Sequence, residues 1–356
     1  MKDGMTYAPK GKPMPVVEKG TFAVAATALE HGHIYGMCNG LKEAGADIKY
    51  VYDPDPEKVK KFTDSFPEAK SVDSLEQILD APEIKLVAAA AIPNERGPLG
   101  IRVMEAGKDY FTDKTPFTEL KQLDAARDAV KSTGRKYMVY YSERLHVECA
   151  VYASTLIEAG AVGKVVQVIG LGPHRLGAPS GRPDWFYKKH QYGGILCDIG
   201  SHQCEQFLHY CNCSSATVSS ARVANCNHPD FPELEDFGEA SLVGDNGTSF
   251  YYRVDWFTPD GLSAWGDGRT LILGTDGFIE MRKYVDIARE KTGDNLYLVN
   301  SEGEQHMNLR GKVGFPFFGQ LILDCIHRTE NAMTQEHAFL AAELCLKCQE
   351  TADRNQ

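Results

Sequence analysis

Two stretches of the 356-residue chain carry residues that could do proton and hydride chemistry. In "YGGILCDIGSHQCEQFLHY", Asp198 and His202 stand four apart, so a helix places both on one face. A carboxylate beside an imidazole suits acid–base work. It orients the ring and supports its cation, and histidine titrates near neutrality, which puts an ionisation of His202 between about pH 5.5 and 8. Gly193 and Gly194 just ahead would let a substrate or cofactor approach the backbone. The alternative is an ion pair on a helix surface. The second stretch, "FTDKTPFTEL", sets Lys114 just past a strand, with Pro116 and Thr118 restarting the chain as a helix. An ammonium there can hydrogen-bond a substrate hydroxyl and stabilise the alkoxide that precedes hydride loss. The alternative is a solvated turn lysine.

A third stretch, "ATALEHGHIYGM", joins an apolar run to an amphipathic helix where a dinucleotide-binding turn would carry G-x-G-x-x-G. Gly32 can let backbone amides approach a pyrophosphate at the helix N-terminus, and Gly36 can permit close helix–strand packing. Glu30 stands where the first glycine is expected, so its carboxylate must point away or be offset by His31 and His33. Asp53 ends the next strand, 21 residues after Gly32, where an acidic side chain accepts from adenosine ribose hydroxyls. That charge would repel a 2′-phosphate and favours NAD over NADP. Asp53 also reads as a capping aspartate. His31 and His33 form no expected metal site, because the sequence suggests no third ligand.

The elements that must position these residues follow a regular grammar. From Thr21, short apolar runs ("TFAVAATAL", "DIKYVYD", "IKLVAAAA", "KDYFTDK", "KYMVYYSE") alternate with helical patterns, which means a parallel sheet covered on both faces. In this doubly wound α/β arrangement ligands lie at the carboxyl ends of the strands. After about Leu145 one helix, a strand, a long loop and the helix of Asp198 precede a strand-rich region from Ala216 to Tyr284, and two helices close the chain. The second half reads as α+β with a mostly antiparallel sheet. The expected divisions are a loose arm over 1–20, a nucleotide-binding domain over 21–145, and a substrate-binding and oligomerisation domain over 146–356.

Composition narrows the function. A net charge of −11 provides no basic stripe for nucleic acid. No apolar run approaches the ~20 residues that span a bilayer, and the first 20 residues lack the apolar core of a signal peptide. Of ten cysteines only Cys345 and Cys348 form a C-x-x-C, inside a helical segment with no answering pair, so reduced thiols in a cytoplasmic protein are expected and structural zinc is not.

Taken in order, the strand–turn–helix opening, "DKTP" and "GGILCDIGSH" resemble the Gfo/Idh/MocA family of oxidoreductases, from about Thr21 to the last helix. The resemblance implies a Rossmann domain followed by an open-faced sheet domain that often builds dimers or tetramers. It implies NAD, bound by a set we expect to comprise His31, Gly32, His33, Ile34, Asp53, Pro93, Asn94 and Lys114. It places Lys114 near nicotinamide and the reacting hydroxyl, with Asp198 beside His202 as the proton acceptor or donor. Thr115 separates Lys114 from Pro116, a departure from the family's Glu-Lys-Pro.

Family members act mostly on sugars, inositols, sugar phosphates and polyols. In the loop "HRLGAPSGRPDWFYKKHQY", Trp185, Phe186 and Tyr187 are expected to stack on a sugar ring or aglycone, with His174 and Arg182 bonding hydroxyls. Tyr141 and Arg144 of "YYSER" are further cleft candidates. The aromatics also read as a packing cluster. With no phosphate cradle in the second half, the expected reaction oxidises a ring secondary hydroxyl of a sugar, glycoside or polyol, giving a keto sugar such as a 3-keto glycoside. Three alternatives stay open: an NAD-retaining, redox-assisted glycosidase, a keto-sugar reductase, and a non-catalytic nucleotide sensor.

Overall fold

The structure is a computed structural model and describes residues 11–178 and 181–355. The first half runs β1 (Ala23–Thr27), α1 (His33–Glu43), β2 (Asp47–Tyr52), α2 (Pro56–Ser65), β3 (Lys70–Ser71), α3 (Leu75–Asp80), β4 (Ile84–Ala89), α4 (Pro93–Glu105), β5 (Asp109–Asp113), α5 (Leu120–Thr133) and β6 (Tyr137–Tyr140). The strands pair in parallel in the order β3-β2-β1-β4-β5-β6, so the order reverses between β1 and β4. Every residue of β5 and β6 is buried, as strands covered on both faces require. Helix starts follow capping rules: Asp55 accepts from Glu57 N at 2.9 Å with Pro56 in the first turn of α2. Gly134 ends α5 at φ 65°, a left-handed stop.

The second half continues through α6 (Ser142–Leu145), α7 (Glu148–Glu158), β7 (Val165–Pro173), a 3₁₀ turn (Asp184–Tyr187), α8 (Lys189–Tyr192), α9 (Ile195–Asp198) and α10 (Gly200–Cys211). Then come β8 (Ala216–Ala224), β9 (Phe237–Gly244), β10 (Ser249–Asp255), β11 (Arg269–Gly274), β12 (Gly277–Arg282), β13 (Asn295–Asn300) and β14 (Gly303–Asn308). The helices α11 (Pro316–His327) and α12 (Gln335–Arg354) close the chain. The eight strands order as β14-β13-β12-β11-β7-β10-β9-β8, antiparallel except for the β7–β10 pair. Helix α10 packs on the inner face of this sheet at β7 and β10.

The last two helices return to the first half. Gly40 on α1 faces the Phe318 ring of α11 so closely that a Cβ there would overlap it. Arg328 donates to both carboxylate oxygens of Asp109 at 2.7 and 3.0 Å. The expected loose arm is corrected over its described part: Val16 N donates to Ala44 O at 2.9 Å, and Val16 packs on Gly319. Residues 1–10 of that arm lie outside the described residues. The small strand β3, the helix α3 and the β13–β14 hairpin lie outside the elements read from sequence, because a two-residue strand and a six-residue helix carry too little periodicity.

The core also buries imidazoles. Burial pushes His146, against Phe315 and Phe318, down to about 3. Burial does the same to His209, which pairs with Ser154 Oγ at 2.8 Å. Below an unfolded pKa of 6.5 the unfolded chain binds protons that these folded sites refuse until about 3, so stability falls as pH falls through that window. Each site contributes up to about 1.4 kcal/mol per pH unit. The melting temperature is expected to drop on acidification from about pH 7 to about pH 5, and to drop less steeply in His146→Gln; an equal slope in both proteins would refute the assignment.

Candidate active site

The floor of the site is a saturated carboxylate at the end of β5. Asp113 is fully buried; Oδ1 accepts from Lys114 N at 2.8 Å and meets His33 Nδ1 at 2.8 Å. Oδ2 meets His31 Nδ1 at 3.1 Å and Arg96 at 3.3 Å. Burial alone would raise its pKa, but His33, Arg96 and His31 hold it well below the ordinary carboxylate range. Arg96, from α4, also donates to the carbonyls of Ala91, Lys114 and Thr115, and so holds the loop after β5. No third partner for His31 and His33 was expected from sequence; the fold supplies Asp113, with one potential ligand atom from each of the three residues lying within 4.8 Å of the others.

From this floor Lys114 reaches Asp198 at the end of α9, Nζ to Oδ1 2.5 Å. Burial would raise Asp198, yet the Lys114 ammonium holds it below the usual range. Asp198 and His202 do face one pocket, but the carboxylate pairs with Lys114 rather than with the imidazole, which corrects the expected dyad. The Nδ1 of His202 is buried with no hydrogen-bond partner. Burial pushes His202 down to about 3, far from the expected near-neutral titration, so the ring is neutral and can accept a proton.

The walls are aromatic. All three tryptophans of the chain, Trp185, Trp256 and Trp265, line the pocket with Phe186 and Tyr284. His174 stands edge-on to Trp256 and Trp265, and burial lowers it to about 4. Arg182 lies over the Phe186 and Trp256 rings and donates to the carbonyls of Leu176 and Arg175, so it lines the site as a packed plate. Glu143, at the pocket edge, accepts through Oε2 from the buried Lys283 at 2.9 Å and from Gln203 at 3.0 Å. Burial would raise Glu143, but Lys283 and His202 bring it down to about 2; its Oε1 is buried without a partner.

Two expected cleft residues are not there. Tyr141 is fully buried and donates to Ala338 O at 2.9 Å. Arg144 forks onto the buried Glu205, which also meets His337. The chain turns inward after β6, so Ser142 and Glu143 reach the pocket in their place. Tyr187 stacks on Phe231, centroids 4.0 Å apart, and is absent from the pocket lining. Sequence reading missed Arg96, Asp113, Glu143, Trp256, Trp265 and Tyr284. Asp113 could have been found, since it precedes Lys114 in the quoted motif; the others reach the pocket only through tertiary packing.

The crevice where the strand order reverses fits a dinucleotide. Gly32 caps α1 without a side chain at φ −63°, and Ile34 follows it into the first turn. Glu30 turns to Lys58 at 2.5 Å and so offers the crevice a neutralised carboxylate. Ala28 takes the left-handed φ of 51° that a glycine would adopt freely. Asp53 accepts from Leu29 N and Asp55 N at 2.7 and 2.9 Å, which fixes the turn. Beside Pro93, which lines the pocket, the Oδ1 of Asn94 is a buried acceptor without a partner.

The family model described as "Oxidoreductase family, NAD-binding Rossmann fold" matches residues 27–141, and "GFO/IDH/MocA C-terminal domain" matches residues 151–280. The chain is 50% identical to a solved protein of Erwinia carotovora atroseptica SCRI1043 described as a candidate oxidoreductase, covering 93% of this chain and 98% of that one at a TM-score of 0.90. It is 26% identical over 237 residues to scyllo-inositol 2-dehydrogenase (NAD(+)) of Bacillus subtilis, 66% of each chain. It is 27% identical over 156 residues to levoglucosan dehydrogenase of Pseudarthrobacter phenanthrenivorans, 43% of this chain and 40% of that one. The aligned stretch thus spans less than two thirds of either curated relative. With both halves matched in order and the motif residues gathered in one pocket, the chain belongs to the Gfo/Idh/MocA family of NAD-binding oxidoreductases.

Proposed function

We propose that the protein oxidises a ring secondary hydroxyl of an unphosphorylated sugar, glycoside or polyol, reversibly, with NAD. The carrying observation is the meeting of the Lys114–Asp198 pair and an unpartnered, neutral His202 in a pocket walled by every tryptophan of the chain. NAD, when bound, supplies the hydride acceptor. His202 takes the hydroxyl proton, and the Lys114 ammonium bonds the oxygen as negative charge develops there. Asp198 holds Lys114 aimed into the pocket. The tryptophan faces stack on the ring's C–H surface and exclude water, while Glu143 Oε1 accepts from a second hydroxyl. Asp53 is the proposed ribose acceptor through lone pairs that the backbone leaves open, with His31, Gly32, His33 and Ile34 along the phosphates and Pro93 and Asn94 at the nicotinamide end. The names of the inositol and levoglucosan dehydrogenases support this substrate class.

We further propose a cytoplasmic homo-oligomer, a dimer or tetramer, assembled through the outer face of the large sheet. Leu271, Leu273, Phe278 and Val243 alternate outward there and are 37–47% exposed, with Leu273 opposite Phe278 across β11–β12. Such an apolar face supports association with a second copy. Among the described residues no helix is long and apolar enough to cross a membrane, and all ten cysteines are free thiols.

Appearance of reduced nicotinamide should follow when the protein and NAD meet one class within a panel of free sugars, inositols and aryl glycosides. Lys114→Ala should lower kcat by about 100- to 10,000-fold. Consumption of no substrate despite demonstrated NAD binding would transfer the assignment to a keto-sugar reductase or a sensor. Light scattering should give a multiple of the 39.3 kDa chain mass, shifted toward one chain by Leu273→Asp; a wild-type monomer would remove the assembly proposal.

A further inference from the structure

The triad on the pocket floor has a second capacity. His31 and His33 sit on either side of Gly32, in the turn entering α1, and Asp113 ends β5 two strands away in the sheet. His33 Nδ1 lies 2.8 Å from one oxygen of Asp113 and His31 Nδ1 3.1 Å from the other, and one potential ligand atom of each residue lies within 4.8 Å of the other two. With bonds of about 2.0–2.2 Å, neighbouring ligand atoms lie roughly 2.8–3.6 Å apart. The carboxylate is fully buried and anchored by Arg96 and Lys114 N, whereas the imidazoles keep 12% and 16% of their side-chain surface exposed and line the pocket. A buried, anchored carboxylate beneath two imidazoles that line the pocket places three potential ligands together.

We propose that His31, His33 and Asp113 bind one first-row divalent cation, of the zinc, manganese, iron(II) or cobalt(II) kind, at the floor of the pocket. Two imidazoles and one carboxylate favour these ions over magnesium or calcium, which prefer all-oxygen shells. Binding requires both imidazoles to carry their proton on Nε2; the Nδ1 of His31, which accepts from His33 N at 3.3 Å, gives up that contact to the ion, and Asp113 exchanges its two imidazole contacts for ligation. The charges already present are Asp113, Asp198 and Glu143 against Arg96, Lys114, Lys283 and Arg182. An added dication would therefore carry excess positive charge and would favour an anionic oxygen at its open positions. The ion would act as a Lewis acid beside Lys114, with no change in its own oxidation state.

The proposal goes beyond the hydride-transfer reading and is tested without turnover. Full-length protein stripped by a chelator is titrated with cobalt(II) alone. Visible d–d bands should saturate at one equivalent, without thiolate charge-transfer absorption, and zinc(II) should displace them. His33→Ala and, separately, His31→Ala should weaken cobalt binding by more than about 100-fold, above what the loss of an outer-shell partner costs. Each variant is first checked for wild-type circular dichroism, and a variant that fails leaves the other to decide. Absence of a cobalt spectrum, thiolate bands from a cysteine site, or unchanged affinity in the folded variants would each overturn the proposal. NAD binding measured on the same metal-free samples separates failure of this site from failure of the dinucleotide reading.

Discussion

The buried carboxylate of Asp113 is the constraint on which the site depends. Its four contacts come from three parts of the first domain: the histidines before and at the start of α1, Arg96 of α4, and the backbone of Lys114 in the loop after β5. Each of those segments leaves a different strand, and only the parallel sheet brings their ends to one edge. A buried charge persists when its partners satisfy it, and breaking such an arrangement from one side costs about 3–5 kcal/mol. The tie therefore does two things at once. It holds the altered nucleotide turn against the sheet, and it fixes the point from which Lys114 reaches across to Asp198 of the second domain.

Charge in the pocket is arranged so that its bases stay neutral. Lys114 faces Asp198 in a largely buried pair, and Lys283 faces Glu143 in a fully buried one. His174 and His202 sit between these pairs, and desolvation there outweighs the neighbouring carboxylates, so both rings are held to about 3–4. In the proposed oxidation, a cationic imidazole beside Lys114 would weaken the ammonium that meets the developing alkoxide. An uncharged His202 leaves that ammonium as the group's electrostatic partner and still offers a lone pair for the proton. Such a ring is a weaker base than a near-neutral histidine, and the cost is offset when the proton's departure is assisted by positive charge on the same oxygen.

Much of this was legible in the residues. The alternation of apolar runs and helical patterns read out the first sheet, because parallel strands buried on both faces are continuous in sequence. Lys114, Asp198 and His202 were legible because each lies in a short motif at an element's end. What was not legible is pairing. Four-residue spacing placed Asp198 and His202 on one face but could not reveal that Lys114, 84 residues earlier, would take the carboxylate. Likewise "YYSER" put Tyr141 and Arg144 near the cleft, and only the inward turn of α6 exchanges them for Ser142 and Glu143. Trp256 and Trp265 carry no local signal at all; a loop between two strands brings them to the wall.

The turn that departs from the glycine pattern is explained by the same economy of charge. A glycine-rich turn presents bare backbone, and any side chain there must be accounted for. Glu30 is neutralised by Lys58 from α2, Asp53 spends hydrogen bonds on Leu29 and Asp55, and His31 and His33 lean on Asp113. Gly32 stands between the two histidines as the one position in that run without a side chain, so backbone access to the helix N-terminus survives while its flanks acquire imidazoles. A turn that had merely lost its function would have no reason to spend a fully buried carboxylate on holding those two rings at the floor of a pocket. Placed there, they join the nucleotide turn, through Asp113, to the loop that carries Lys114, a connection that a turn made of glycines has no atoms to make.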